Sequence, residues 1–224
     1  DGFTLKVFSR KKSLELESGL KGATLCASPI EVATGSDFLL LCVSDENAVE
    51  MILFGPEGIE NSLSKGTYVI DFSTISPSKA KLIAKKLAKK KVTYIDAPVS
   101  GGTEGAKAGT LTIFLGGNTK DLKKVSIILN SIAKNIYSFG QVGKGQEVKA
   151  INQILVAGSY AALAEAISLG QSLSLPMDLV VEALTKGAAN SWALENRSKA
   201  MIEDSYPLGF KLKLHHKDLC IVLQ

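Results

Sequence analysis

The stretch Gly143-Lys144-Gly145-Gln146-Glu147-Val148-Lys149-Ala150-Ile151-Asn152-Gln153 divides this chain into two kinds of pattern. A glycine-punctuated turn passes into a helical periodicity that runs, without proline, to about residue 173. Before it, short apolar runs alternate with helical segments; after it, only helical patterns follow. At helical spacing Lys149, Asn152 and Gln153 stand at i, i+3 and i+4 and share one face, beside an apolar face of Val148, Ile151, Ile154 and Leu155. A solvated stripe is the ordinary reading of such residues. The sharper reading is an ammonium with two amides beside it that orient a polar substrate.

Upstream, the apolar runs predict strands at 3–8, 23–26, 37–43, 67–72, 92–96, 111–115 and 136–139. The run 37–43 is continuously apolar, as in a strand buried on both faces. Helices are predicted at 13–19, from Ser28-Pro29 onward, at 47–54, from Pro77 to about 90, and at 119–133. Strands alternating with helices imply a doubly wound α/β domain of Rossmann type with a mostly parallel sheet. Downstream, helices are predicted from 179 to 184, behind Pro176 and a cap-like Asp178, from 191 to 201, and from 214 onward. The expected organisation is a dinucleotide-binding domain at 1–145 and an all-helical domain at 146–224, bridged by the long helix. Clefts between domains are favoured ligand sites, and Lys149 is expected at that junction.

This α/β pattern holds no complete dinucleotide fingerprint. Gly143-Lys144-Gly145 opens a helix after a strand, but Val148 stands at the third glycine position and no acid-tipped strand follows. It is therefore not read as a pyrophosphate loop. The chain opens at Asp1-Gly2-Phe3 as though entering the second strand of a nucleotide-binding half, so the first strand and its glycine loop are expected upstream. The last eleven residues read as the start of a helix, so the helical domain is expected to be truncated.

Composition excludes several classes. The net charge of +4 suits an anionic small molecule, and the basic run Lys85-Lys86-Leu87-Ala88-Lys89-Lys90-Lys91 has no interleaved aromatics that would point to nucleic acid. Three scattered cysteines and one adjacent His215-His216 pair suggest neither a disulfide framework nor a metal site. The N-terminus lacks a signal-peptide pattern, and no stretch is expected to span a membrane. The expected setting is cytoplasmic, or an organelle if a targeting segment lies upstream.

Three turns after predicted strands gather small and polar residues: Cys42-Val43-Ser44-Asp45, Ser73-Thr74, and Ser100-Gly101-Gly102. Ligands of an open parallel sheet collect at such C-terminal strand ends. Glycines let backbone N–H groups approach an anion closely, and Ser100 adds a hydroxyl; a plain glycine-rich loop is the competing reading.

The run Asp96-Ala97-Pro98-Val99-Ser100-Gly101-Gly102-Thr103-Glu104-Gly105-Ala106-Lys107-Ala108-Gly109-Thr110-Leu111, followed by Gly143-x-Gly145-x-x-x-Lys149-x-x-Asn152, closely resembles the β-hydroxyacid dehydrogenases. These include 3-hydroxyisobutyrate dehydrogenase, tartronate semialdehyde reductase and the glyoxylate/succinic semialdehyde reductases. The resemblance runs from Gly2 to the end and includes Ser28-Pro29, Asp71-x-Ser73-Thr74, Ser191-Trp192 and Lys217-Asp218-Leu219. It implies an NAD(P)-dependent oxidoreductase that interconverts a short β-hydroxyacid and its semialdehyde. Ser100, Gly101 and Gly102 are implied to hold the substrate carboxylate, Lys149 to be the general acid/base, and Asn152 to orient the substrate. Gln153 stands where the family commonly has a second asparagine; Lys-x-x-Asn-Gln occurs in tartronate semialdehyde reductases, so Gln153 is expected among the substrate ligands. Cys42, Val43, Asn47, Thr74 and Lys217 are the implied cofactor contacts. Dimers or tetramers through the helical domain are also implied.

Cofactor choice is read from Ser9-Arg10 at the end of the first strand. An acid there binds ribose hydroxyls, whereas an arginine suits a 2′-phosphate, so NADP is expected over NAD. Trp192 and Phe210 are read either as core anchors or as substrate neighbours, and His215-His216 as structural. The rival functions are a non-enzymatic scaffold of the same fold and an oxidative decarboxylase of larger sugar acids.

Overall fold

The computed structural model describes residues 2–10, 22–206 and 209–224. It separates into two compact units, residues 1–149 with 224, and residues 150–223. The predicted helix at 13–19, and Lys11 and Lys12 of the basic loop, lie outside the described residues.

In the first unit the strands are β1 (Leu5–Val7), β2 (Ala23–Leu25), β3 (Phe38–Leu41), β4 (Tyr68–Asp71), β5 (Thr93–Asp96), β6 (Val99–Ser100), β7 (Leu111–Leu115) and β8 (Ala133–Ser138). The helices are α1 (Pro29–Ala33), α2 (Glu46–Phe54), α3 (Pro77–Ala88), α4 (Gly102–Ala108) and α5 (Thr119–Leu129). Strands β1 and β2 pair in parallel, as do β3, β4 and β5 in that order. Strand β7 pairs in parallel with β8 and antiparallel with β6, and an Asp96–Gly116 bridge ties the end of β5 to the end of β7.

Alternation along β4 and β5 explains the two-sided cover. Val69 and Tyr94 join one apolar cluster with Val49, Leu53, Ile83 and Leu87 from α2 and α3. Ile70 and Ile95 join another with Val125 and Leu129 from α5. Side chains of successive strand residues point to opposite faces, so both faces must be covered. The helices begin where local chemistry starts them: Ser28 Oγ accepts from Glu31 N, Asp45 Oδ1 from Ala48 N, and Ser76 Oγ from Lys79 N with Pro77 next.

Several expectations are corrected. Strand β3 is the outer strand of its three, and only Leu39 and Leu41 are buried; Leu40 is 41% exposed. The helix predicted at 119–133 stops at Leu129, and Ala133 begins β8. The glycine-rich segment after Ser100 contains helix α4, which the low helix propensity of glycine had concealed.

The helix α6 (Lys144–Ser172) starts in the first unit and continues into the second, where α7 (Met177–Leu184), α8 (Trp192–Ile202) and α9 (Leu212–Val222) follow. Leu163, Ile167, Met177, Ala193 and Leu194 form the core of that unit. Pro176, not Asp178, holds the cap position of α7; Asp178 lies in its first turn, where a carboxylate still complements the helix dipole. The units divide at Lys149/Ala150 rather than 145/146, because the first turns of α6 are bonded to the sheet. By length and composition alone α6 could cross a membrane, contrary to the sequence reading, since its alanines and spaced Ile and Leu residues outweigh its few charges.

Candidate active site

Two strand ends and the start of α6 bring together the candidate residues of the first unit. The Asp96 carboxylate, at the tip of β5, accepts hydrogen bonds from Gly143 N at 2.7 Å and Gln146 N at 3.0 Å. The residues just before Lys144 include no Ser, Thr, Asp or Asn, so the orphan N–H groups of this helix are satisfied from another element. The Gln146 side chain is buried; its Nε2 donates to Ser73 O at 2.8 Å, and its Oε1 accepts from Ile75 N at 3.2 Å. One turn on, Lys149 is only 9% exposed, and its Nζ donates to Val99 O at 2.8 Å. That carbonyl belongs to the peptide leading into Ser100, so the ammonium is held against the start of the Ser100-Gly101-Gly102 turn.

The turn is shaped for backbone donors. Gly101 has φ 127° and Gly102 φ 65°, values that L side chains rarely adopt, and Gly101 caps α4 without a side-chain bond. The first-turn N–H groups of a helix have no intrahelical acceptor, and Gly101, Gly102 and Thr103 are exposed.

Burial pushes the Asp96 carboxyl up to about 6, against the lowering effect of the Gly143 and Gln146 bonds; the Asp71 charge, its register partner on β4, adds to the rise. An ordinary aspartate titrates at 3.8. The folded state therefore binds this proton more tightly than the unfolded chain, and ionisation of Asp96 removes stability as pH rises from about 4 through 6. Asp71 is likewise buried, accepting from Ser73 N at 2.9 Å and from the Tyr94 hydroxyl at 2.8 Å. That charge and its own burial hold the Tyr94 hydroxyl far above its usual range, with burial the larger cause.

The expected cofactor positions of this unit follow strands β1, β3 and β4. Val43 N donates to Ser73 Oγ at 3.0 Å, which joins the turns after β3 and β4. Cys42 and Asn47 are exposed beside this contact in sequence, and Thr74 follows Ser73. Ser9 and Arg10 follow β1, with Arg10 exposed.

The remaining expected residues belong to the helical unit. Gln153 is 2% exposed; its Nε2 donates to Asp218 Oδ2 at 2.7 Å, and its Oε1 accepts from Asn152 Nδ2 at 2.8 Å. The sequence reading placed Gln153 among the substrate ligands. In this structure its amide bonds Asp218 at one end and Asn152 at the other. Lys217 Nζ lies 2.8 Å from Asp218 Oδ1, and the His215 ring bonds the Gln153 carbonyl through Nε2 at 3.1 Å. Trp192 is 52% exposed with the Arg197 guanidinium over its ring, so it is not a core anchor of this chain, and Phe210 lies beside the His215 ring. Among the described residues no group of three or more His, Cys, Asp or Glu side chains is placed to hold a metal. Gln153→Leu, which strips the buried Asp218 of a donor, is expected to cost about 1–3 kcal/mol, read as a lower denaturation midpoint at unchanged slope.

Sequence reasoning did not identify Asp96, Gln146 or Asp218 as functional. The available signal was a helix start with no capping residue of its own, which had to be met by a remote acceptor.

Comparison with known proteins agrees with this geometry. The profile of the NAD binding domain of 6-phosphogluconate dehydrogenase matches residues 1–140, and that of the NAD-binding region of NADP-dependent 3-hydroxyisobutyrate dehydrogenase matches 143–224. The 2-(hydroxymethyl)glutarate dehydrogenase of Eubacterium barkeri is 35% identical over 225 residues, covering 100% of this chain and 75% of that protein. The chain belongs to the β-hydroxyacid dehydrogenase family. The 2-hydroxy-3-oxopropionate reductase of Escherichia coli is 37% identical, across 91% of this chain and 70% of its own. The crystal structure of a 3-hydroxyisobutyrate dehydrogenase from Salmonella typhimurium superposes with a TM-score of 0.83 at 32% identity, covering 90% of this chain and 71% of that one.

Membership of the β-hydroxyacid dehydrogenases makes the protein an NAD(P)-dependent oxidoreductase with a Rossmann-type domain followed by a helical one. The residues present fit that cofactor. The turn after β3 carries exposed Cys42, the first turn of α2 carries exposed Asn47, and the guanidinium of Arg10 follows β1; these would be the residues to hold it. When bound, the cofactor supplies or accepts the hydride; the chain's own residues must hold the anion and move the proton.

Proposed function

We propose that the protein interconverts a short β-hydroxyacid and its semialdehyde, with Lys149 as general acid in reduction and general base in oxidation. The buried Lys149 Nζ, 2.8 Å from the peptide that opens the Ser100-Gly101-Gly102 turn, carries this reading. Backbone N–H groups of the turn bind the substrate carboxylate. Asn152, held by Gln153, orients the hydroxyl or carbonyl end. Reduction leaves an alkoxide, which takes a proton from the ammonium; oxidation returns that proton to the amine. Lys149-x-x-Asn152-Gln153 and the 37% identity to a 2-hydroxy-3-oxopropionate reductase favour tartronate semialdehyde within this class. Initial rates with glyoxylate, tartronate semialdehyde, succinic semialdehyde and 3-hydroxyisobutyrate test the proposal. Turnover of none of the four, with cofactor bound, would leave a scaffold of this fold instead.

NADP is the preferred cofactor in this proposal, because Arg10 matches a 2′-phosphate. Arg10→Asp is expected to lower kcat/KM for NADPH relative to NADH by about 10-fold or more, since a charge-assisted phosphate contact is lost and a repulsion gained. An unchanged ratio would remove Arg10 from cofactor choice.

The protein acts as a homo-oligomer in this proposal. Ile151, Ile154, Leu155 and Leu169 of α6 are each about half or more exposed in the single chain, an apolar surface of the kind that marks an interface. The hydrogen-bonded Lys149, Asn152 and Gln153 on the same helix favour a protein partner over lipid. The three cysteines are all unpaired, in keeping with a reducing, cytoplasmic setting.

A further inference from the structure

We propose that Asp96 is a positioning residue for catalysis: its carboxylate locks the helix that carries Lys149 onto the strand that leads into the substrate-carboxylate turn. The inference rests on the reading of Lys149 as the proton donor and deepens it. Three contacts carry the geometry. At one end, Asp96 accepts from Gly143 N and Gln146 N, at 2.7 and 3.0 Å. At the other, Val99 O accepts from Lys149 Nζ at 2.8 Å. Asp96 and Val99 are three residues apart on one segment, and Gln146 and Lys149 are three apart on the other. The two segments are thus pinned at both ends, and the distance between Lys149 and the Ser100 peptide follows from the pair of bonds at Asp96. Gln146 adds a third tie through Ser73 and Ile75.

The pocket around the carboxylate is built close. A Cβ on Gly145 would stand 2.9 Å from Asp96 Oδ2, and one on Gly116 would stand 2.8 Å from Asp96 Cγ. Such an enclosure desolvates the group, and a desolvated carboxylate is retained at a cost unless its charge is used. Its use here is that an ionised carboxylate accepts at both oxygens, whereas a protonated or amide group offers a donor at one of them. The charged and titratable groups around it are Asp71 and Tyr94 on β4 and β5, Lys81 of α3 beside Gly143, and Lys144, Glu147 and Lys149 of α6. Burial raises its pKa, Asp71 adds to the rise, and the backbone bonds from Gly143 and Gln146 act against it.

The full-chain enzyme is assayed with tartronate semialdehyde and NADPH, comparing Asp96→Asn and Lys149→Ala with the parent. Asp96→Asn is expected to lower kcat on the order of 10-fold or more, because a misplacement of about 1 Å can cost up to 10²-fold, while leaving the KM for NADPH within about 2-fold. The parent kcat is expected to fall as pH drops through about 6, where Asp96 protonates, and Asp96→Asn to lose that limb. A purely structural role would lower the folded fraction and leave the shape of the pH profile alone. Amide exchange supplies a measurement independent of turnover: compared at one pH, Gly143 and Gln146 should exchange faster in Asp96→Asn than in the parent. If Lys149→Ala is inactive but Asp96→Asn keeps parental kcat, pH limb and amide protection, the positioning role is overturned and the proton-donor reading stands. If Lys149→Ala turns over normally, the proton-donor reading itself fails.

Discussion

Lys149→Ala is expected to turn over at least about 10²-fold more slowly than the parent, with cofactor affinity preserved. General acid–base groups contribute about 10²–10⁴-fold; Glu147, two residues away on α6, is held ionised by its bond to Lys144 and has no proton to give, and Asn152 and Gln153 are amides. The nitrogen is buried and tied to Val99 O, so the variant removes a positioned donor rather than a mobile surface charge. Lys149→Arg should be nearly as slow, because a guanidinium does not give up its proton in proteins and its planar fork does not fit the single carbonyl that holds the ammonium. Partial rescue of Lys149→Ala by methylammonium would identify the missing function as the amine. Turnover within a few-fold of the parent in both variants would end the assignment.

The local parts of this architecture were legible in the sequence because they depend on near neighbours. Apolar alternation located β4, β5 and β7; Ser28-Pro29 and Ser76-Pro77 marked helix starts; and the uninterrupted periodicity after Gly143 gave α6 its length. The site was legible where spacing along one helix or one turn sufficed, as for Lys149 with Asn152 and for Ser100-Gly101-Gly102. It was not legible where the partner is remote. Asp96 meets Gly143 across 47 residues, and Gln153 meets Asp218 across 65. Nothing local to Gln153 distinguishes an amide aimed at substrate from one consumed by a buried carboxylate. Helix α4 was missed for a different reason. Glycine propensity argues against a helix at 102–108, and it is the positive φ of Gly101 and Gly102 at its start that needs glycine there.

Gly145→Ala is expected to be among the most damaging single-methyl additions in the α/β unit. Its added Cβ would collide with the Phe114 carbonyl oxygen and lie 3.1 Å from Gly116 N and 2.9 Å from Asp96 Oδ2. The first two are backbone atoms of β7 and the residue after it, and the third is already fixed by two hydrogen bonds, so none can yield cheaply. Overpacking of this kind costs about 1–3 kcal/mol, occasionally more, and relief is available only by lifting the start of α6 off Asp96. Stability and turnover should therefore fall together, the second through Lys149. Gly66→Ala is the matched comparison: φ is +94°, but a Cβ there meets nothing within 4 Å, so only backbone strain of about 1–2 kcal/mol acts and kcat should hold. Denaturant midpoints and kcat measured on both variants separate the two effects. Gly145→Ala with parental kcat would mean that the docking of this helix start does not set the position of the lysine.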